Sequence, residues 1–250
     1  MNIVITGASA GIGAATAKCF FEAGHKVVLL ARRKDKLEVL QKELGEKRAL
    51  VFPLDVSSRE EVETTFAAIE EQIGAIDVLV NNAGMALGLE PAQEGKLDDW
   101  QKCIDVNING LLYCTHSALQ GMIKRNQGHI INLGSVAGNY PYPGGAIYCG
   151  TKAFIHQFTL CLRSDLLGTG VRVTCVEPGL VGETEFSIVR FRGDEARAKS
   201  VYDKTRPLRP QDIAKTILFC ASTPKHVNIN TLEVMPVQQA FSPLKVVREE

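Results

Sequence analysis

No stretch of the chain approaches the ~18 consecutive apolar residues that a membrane span requires, which argues against an integral membrane helix. An excess of one charge is missing too. The 28 Lys and Arg balance 28 Asp and Glu, so the broad basic footprint of a nucleic-acid surface is not expected. That balance leaves room for a local basic pocket around one anionic ligand. No CxxC pair occurs among Cys19, Cys103, Cys114, Cys149, Cys161, Cys175 and Cys220, which removes zinc ribbons and thioredoxin-like motifs. An odd count scattered through apolar segments reads as reduced thiols in the core of a cytosolic protein. His25, His116, His129, His156 and His226 lack metal-ligand spacing, so no metal is expected and hydrogen-bonded or surface positions are. The N-terminus has no basic region and breaks into glycines after six residues, unlike a signal peptide. With 45% hydrophobic and 22% charged residues, intrinsic disorder is excluded as well.

What is present is an alternation of apolar runs and helical patterns. Strands are expected at 2–6, 27–31, 49–54, 76–81, 129–134, 171–178 and 231–237. Helices are expected at 12–24, 34–44, 59–73, 98–125, 147–167 and 210–221. Ser57 or Ser58 serves as N-cap of the third helix, and Pro210 suits the first position of the last. Continuously apolar strands are buried on both faces. Strands that alternate with helices build a doubly wound α/β domain around a parallel sheet. The length of 250 residues then fits a single domain, with 182–209 as a long irregular segment of the kind that forms lids. Ligands of such sheets bind beyond the carboxyl ends of the strands.

The loop after the first strand runs Thr6-Gly7-Ala8-Ser9-Ala10-Gly11-Ile12-Gly13, a GxxxGxG spacing. Glycines allow a sharp turn and close approach of backbone to a pyrophosphate, and the following helix N-terminus offers free N–H groups. The second strand ends in Ala31-Arg32-Arg33, where an NAD-binding site would carry a carboxylate for the ribose hydroxyl. Two guanidinium groups suit a 2′-phosphate instead, so NADP(H) is the expected cofactor, the alternative being a solvated basic turn. Ser9 is a further donor to that phosphate. Asp55, after the third strand, either accepts from the adenine amino group or braces a turn.

Beyond the fifth strand stands Ser135, with Tyr148 thirteen residues on and Lys152 four beyond that. Residues four apart share a helix face, so phenol and amine can enter one site. An ammonium and a positive nicotinamide both favour the phenolate. With a hydroxyl beside it, the phenol can exchange a proton with a substrate oxygen while a nicotinamide carries hydride.

Five ordered motifs now stand together: TGASAGIG (6–13), NNAG (81–84), Asn107 within DVNING, Ser135 with YCGTK (148–152), and PG (178–179). Along essentially its whole length the chain resembles the short-chain dehydrogenase/reductase family. The resemblance implies a Rossmann-type fold, Tyr148 as acid/base, Lys152 on the nicotinamide ribose, Ser135 orienting substrate and Asn107 holding a water linked to Lys152. It implies that Asn81, Ala83 and Gly84 line the cofactor with Thr6, Gly7, Gly11, Ile12, Gly13 and Val56. It also implies that Pro178, Gly179, Val181 and Thr184 flank the carboxamide end. A homotetramer is implied, built on the helices around 98–125 and 147–167 where Phe154 and Phe158 suit packing, with the tail after Ala240 covering a neighbour.

Within the family, NNAGMALGLEPAQ, GSVAGNYPYPGGAIY, PGLVGETEFSIVRFRGD and HVNINTLEVMPVQQ resemble the NADP-dependent 3-hydroxy acid dehydrogenases. That group oxidises serine and L-allo-threonine and interconverts 3-hydroxypropionate with malonic semialdehyde, which implies a small 3-hydroxy acid as substrate. Arg190 or Arg192 in the lid can supply a bidentate donor to its carboxylate, unless both are merely solvated. Gly144 and Gly145 are expected to leave space beside the tyrosine. The alternatives are another NADPH-dependent carbonyl reductase, for ketoacyl thioesters, aldehydes or ketones, and a non-catalytic NADP(H)-sensing protein.

Overall fold

Within each strand, successive side chains point to opposite faces, and both faces are apolar. In the first strand, β1 (Asn2–Thr6), Ile3 and Ile5 enter one packed layer and Val4 the other. In β2 (Lys26–Ala31), Val27 and Leu29 join the first layer and Val28 and Leu30 the second. Burial on both sides is why the strands read as continuous hydrophobic runs.

The computed structural model describes residues 1–240. The tail that the resemblance placed over a neighbouring subunit lies outside the described residues. A parallel sheet of seven strands runs in the order β3-β2-β1-β4-β5-β6-β7. Its remaining strands are β3 (Ala49–Pro53), β4 (Val78–Asn81), β5 (Gly128–Leu133), β6 (Val171–Pro178) and β7 (Thr231–Val234). One face packs on α1 (Gly11–Glu22) and α9 (Pro210–Ser222), through Phe20, Ile213 and Ile217. The other packs on α3 (Arg59–Ile73), α5 (Gly110–Lys124) and α6 (Ala146–Asp165), through Phe66, Ile69, Met122 and Leu162. Helix α2 (Lys34–Leu44) covers the β2–β3 edge. The strand order reverses direction between β1 and β4, which opens a crevice at their carboxyl ends.

Caps follow the sequence. Ser58, rather than Ser57, accepts from the Glu61 amide at the start of α3, and Pro210 opens α9 with Asp212 accepting from the Arg209 amide at 2.8 Å. Two expectations need revision. The long helix at 98–125 is α4 (Leu97–Ile104) and α5 joined by a π-helical turn at Asp105–Asn109. Asn107 lies in that turn, buried, and its side chain bonds Met85 and Thr151. Such side-chain ties are a recurrent reason for a widened helical turn. The segment 182–209, read as irregular, contains the short helices α7 (Phe186–Arg190) and α8 (Glu195–Ser200). The cysteines are free, but Cys161 is exposed rather than in the core.

His129 on β5 is buried, its Nε2 2.8 Å from the Thr174 hydroxyl. Burial, with Arg172 as a smaller influence, pushes its pKa from 6.5 down to about 3. Between those two values the unfolded chain binds a proton that the folded chain refuses, so stability falls as pH drops through that window. The slope from this one group approaches about 1.4 kcal/mol per pH unit. His129→Gln is expected to flatten that acid limb in urea unfolding measured from pH 7 to pH 5; an unchanged slope would show that the imidazole accepts the proton in place.

Candidate active site

At the crevice between β1 and β4, the Thr6 hydroxyl fixes how the two departing loops lie against each other. Thr6 Oγ1 accepts from the backbone amides of Asn82 (3.0 Å) and Ala83 (2.9 Å), anchoring the turn that the chain makes after β4. Gly7 adopts a φ of +67°, and a Cβ there would lie 2.8 Å from Asn82 Nδ2. A Cβ on Gly13 would come within 2.3 Å of the Gly7 carbonyl oxygen. Thr6 and Gly13 therefore do not line the crevice as the resemblance implied; they shape the loop behind it. Asn81 is also corrected. It points into the core, donating to Thr115 Oγ1 and Asn132 Oδ1, both at 2.9 Å, and so ties β4 to β5 and α5. The reason is strand alternation: Asn81 is the last residue of β4 and faces a packed layer, whereas Asn82 has left the strand.

The cavity that remains has a volume of about 570 Å³. Gly7, Ser9, Gly11 and Ile12 line one wall, and α1 begins there with no side chain capping its free N–H groups. That combination of bare helix N-terminus and close-packed glycine loop fits a pyrophosphate. Ala83, Gly84 and Val56 line the floor, and Pro178, Gly179, Val181 and Thr184 the far wall.

Both Arg32 and Arg33 reach the cavity rim. Asp55 Oδ1 accepts from the Ser57 amide (3.0 Å) and hydroxyl (2.7 Å), so the carboxylate braces its turn, with Oδ2 4.0 Å from Arg32. Arg33 donates to Ser9 Oγ at 3.0 Å and to both oxygens of Glu185, a partner the sequence reading missed. Nothing in the sequence marks Glu185, which lies 152 residues from Arg33.

At the other end of the cavity, Ser135, Tyr148 and Lys152 converge from β5 and α6. Ser135 Oγ accepts from the Ala137 amide (3.1 Å) and hydrogen-bonds the Tyr148 phenol. Lys152 is buried, donates to the Leu133 carbonyl at 2.7 Å, and lies 5.8 Å from the Tyr148 ring centroid. Burial lowers its pKa to about 8, opposed by Cys175 and Glu177. Burial pushes the Tyr148 phenol upward, while the Ser135 hydrogen bond and the Arg190 charge pull it down. The sequence has an ammonium favour the phenolate; with the Lys152 amine directed at Leu133, burial outweighs it. Asn107 does not line the cavity. Its Oδ1 accepts from the Met85 amide and its Nδ2 donates to the Met85 carbonyl, both at 2.8 Å, and to Thr151 Oγ1 at 3.0 Å, which holds the NNAG loop against α6.

The two lid arginines part company. Arg192 pairs with Glu90 (3.1 Å) and Asp99 (2.5 Å), away from the cavity. Arg190 enters the cavity, 5.4 Å from the Tyr148 centroid, with Nε on the Gly88 carbonyl and Nη2 on the Tyr142 hydroxyl. Tyr142 is a second residue the sequence reading missed. Gly144 and Gly145 leave no space beside the catalytic ring: a Cβ at Gly144 would strike the Leu89 carbonyl, and one at Gly145 the Tyr142 ring. Behind the site, the buried Glu177 accepts from Asn139 (2.9 Å) and lies 2.6 Å from His156 Nδ1, with Cys175 alongside. Cys175 and Glu177 share β6, α6 brings His156 to them, and the three satisfy one another.

The short chain dehydrogenase profile matches residues 1–194. The chain is 52% identical over 248 residues to the NADP-dependent 3-hydroxy acid dehydrogenase YdfG of Salmonella typhi, covering 99% of this chain and all of that one. It is 49% identical to the serine 3-dehydrogenase of Agrobacterium fabrum, over 99% of this chain and 98% of that one. The closed form of a serine dehydrogenase complexed with NADP⁺ superposes with a TM-score of 0.97 at 48% identity, covering both chains fully.

The close packing at Gly13 makes a sharp forecast. Gly13→Ala forces Gly7 and Asn82 apart, an overpacking cost of about 1–3 kcal/mol, and is expected to weaken NADPH binding at least about tenfold with a lowered Tm. Fluorescence titration and thermal melts check this; unaltered affinity would mean that the loop geometry does not hold the nucleotide.

Proposed function

Because the chain belongs to the short chain dehydrogenase family, we propose that it is an NADP(H)-dependent oxidoreductase interconverting small 3-hydroxy acids with their 3-oxo acids, in one domain whose 182–209 segment is the lid. The substrates are serine, L-allo-threonine and 3-hydroxypropionate. A single observation carries the reading: proton-transfer groups and a guanidinium, Arg190, share one end of a cavity whose other end is rimmed by Arg32 and Arg33.

Bound across that cavity, the cofactor supplies reversible hydride exchange at the substrate's carbinol carbon. The α1 N-terminus and the glycine loop hold its pyrophosphate, and the basic rim its 2′-phosphate. Ser135 donates to the substrate oxygen. In the oxidative direction the Tyr148 phenolate removes the hydroxyl proton, and in reduction the neutral phenol returns it. Burial favours the neutral phenol, so oxidation needs the help of nearby positive charge, and Arg190 and Lys152 are the two cations beside the ring. Arg190, held from behind by Tyr142 and Gly88, presents its charge to the substrate carboxylate. A carboxylate so placed leaves the 3-hydroxyl to Ser135 and Tyr148. Phe186 of the lid, 5.4 Å from the Tyr148 ring, shields the reacting end from water.

The assembly is a homotetramer in the cytoplasm. The stacked Phe154 and Phe158 on α6, 5.7 Å apart, support the first and the free cysteines the second. Among the described residues no helix is long and apolar enough to cross a membrane.

Tyr148→Phe is expected to abolish turnover while NADPH still binds; retained turnover would remove the phenol from the mechanism. Arg190→Gln is expected to raise KM for carboxylate substrates by about tenfold or more, the loss of a charge-assisted hydrogen bond, with KM for an uncharged alcohol little changed and kcat for oxidation lowered for both as the phenolate loses a neighbouring charge. A panel of serine, L-allo-threonine, 3-hydroxypropionate and ketoacyl thioesters, each with both nucleotides, tests the whole assignment. Turnover confined to the thioesters would replace it.

A further inference from the structure

The sequence reading assigned Arg32 and Arg33 the same task, but their surroundings divide them. Arg33 is engaged through both terminal nitrogens. Its Nη1 and Nη2 donate to the two oxygens of Glu185 at 3.1 and 2.6 Å, and Nη2 also reaches Ser9 Oγ at 3.0 Å. Lys36 adds a third donor to Glu185 at 2.7 Å. Arg32, by contrast, has a side chain 71% exposed and, among the described residues, its one ion pair is with Asp55, at 4.0 Å. Both guanidinium groups line the same cavity.

Glu185 sits where the lid begins. Thr184 before it faces Gly11 of the glycine loop, and Phe186 after it packs on the Tyr148 ring. Three successive residues thus touch the glycine loop, the β2–α2 corner and the catalytic ring. We propose that Glu185 is a positioning residue that latches the lid shut, that Arg33 and Lys36 are its anchor, and that Arg32 is the guanidinium left to read the 2′-phosphate.

An isolated exposed ion pair contributes little. Here one carboxylate is gripped by a bidentate guanidinium and a lysine together, a geometry stronger than a single contact. The two cations hold the Glu185 carboxyl down at about 2, so the latch keeps its charge throughout the physiological range. A phosphate arriving at Arg33 must displace a charge already bonded there. One arriving at Arg32 meets a guanidinium with no short partner. The division rests on the NADP(H) reading above, whereas the latch itself does not.

The test uses Glu185→Gln, Arg33→Gln and Arg32→Gln in the full chain. Two quantities are read: amide hydrogen exchange across 183–193 without nucleotide, and the Kd of NADPH and of NADH. Glu185→Gln and Arg33→Gln are expected to speed lid exchange several-fold, non-additively when combined, and to weaken both nucleotides by a similar factor. Arg32→Gln is expected to leave lid exchange unaltered and to weaken NADPH about tenfold with NADH untouched, the loss of one charge-assisted hydrogen bond. Selective tightening of NADPH in Glu185→Gln would make Glu185 a competitor of the phosphate and overturn the latch. A selective NADPH loss in Arg33→Gln with unaltered lid exchange would overturn the division of roles. A wild-type chain without NADPH preference would overturn the assignment of Arg32 together with the cofactor reading, while faster lid exchange in Glu185→Gln would still uphold the latch.

Discussion

The Thr6 hydroxyl, bonded to the amides of Asn82 and Ala83, fixes the separation of the chain as it leaves β1 and β4. Both strands are hydrogen-bonded neighbours up to that point, and both must then diverge for a dinucleotide to lie between them. Every other feature of the site is placed relative to that divergence. The glycine loop fits against Asn82 because Gly7 and Gly13 carry no Cβ. The NNAG loop in turn is clamped by Asn107 from the π-helical turn, and the same side chain reaches Thr151 beside Lys152. A chain of short contacts therefore runs from the glycine loop to Tyr148 and Lys152 through buried amides and hydroxyls. Such networks hold geometry well because each member would be costly to leave unpaired.

Burial then decides the chemistry at the far end. It raises the Tyr148 phenol and lowers the Lys152 amine, driving the two groups apart in proton affinity and favouring the neutral form of each. Glu177, wholly buried behind the lysine and satisfied by His156 and Asn139, opposes the loss of the lysine's proton. Charge at the opposite, more exposed rim works differently. There the arginines are screened by water, and they differ in the partner each one already holds.

Much of this was legible in the residues. The alternation of apolar runs and helical periods located all seven strands, since strands buried on both faces leave an unbroken hydrophobic signature. Ser135, Tyr148 and Lys152 share the cavity, as the four-residue spacing and the strand-end position suggested. What escaped were partners distant in sequence. Asn81 and Asn82 are indistinguishable as letters, yet one faces the core and the other the crevice. Arg190 and Arg192 were equal candidates until Glu90 and Asp99 claimed the latter. Glu185 and Tyr142 had no local pattern at all.

The amino-acid order alone determined the sheet, its layers, the glycine loop and the proton-transfer set, because periodicity and motif spacing are local properties written along the backbone. Only the folded molecule decided which arginine enters the cavity beside Tyr148, which is tied to Glu185 and which lies on the open rim. Those outcomes depend on charges brought together across as many as 152 residues, and on how far each is removed from water. Distance and burial belong to the packed chain and have no counterpart in a string of residues.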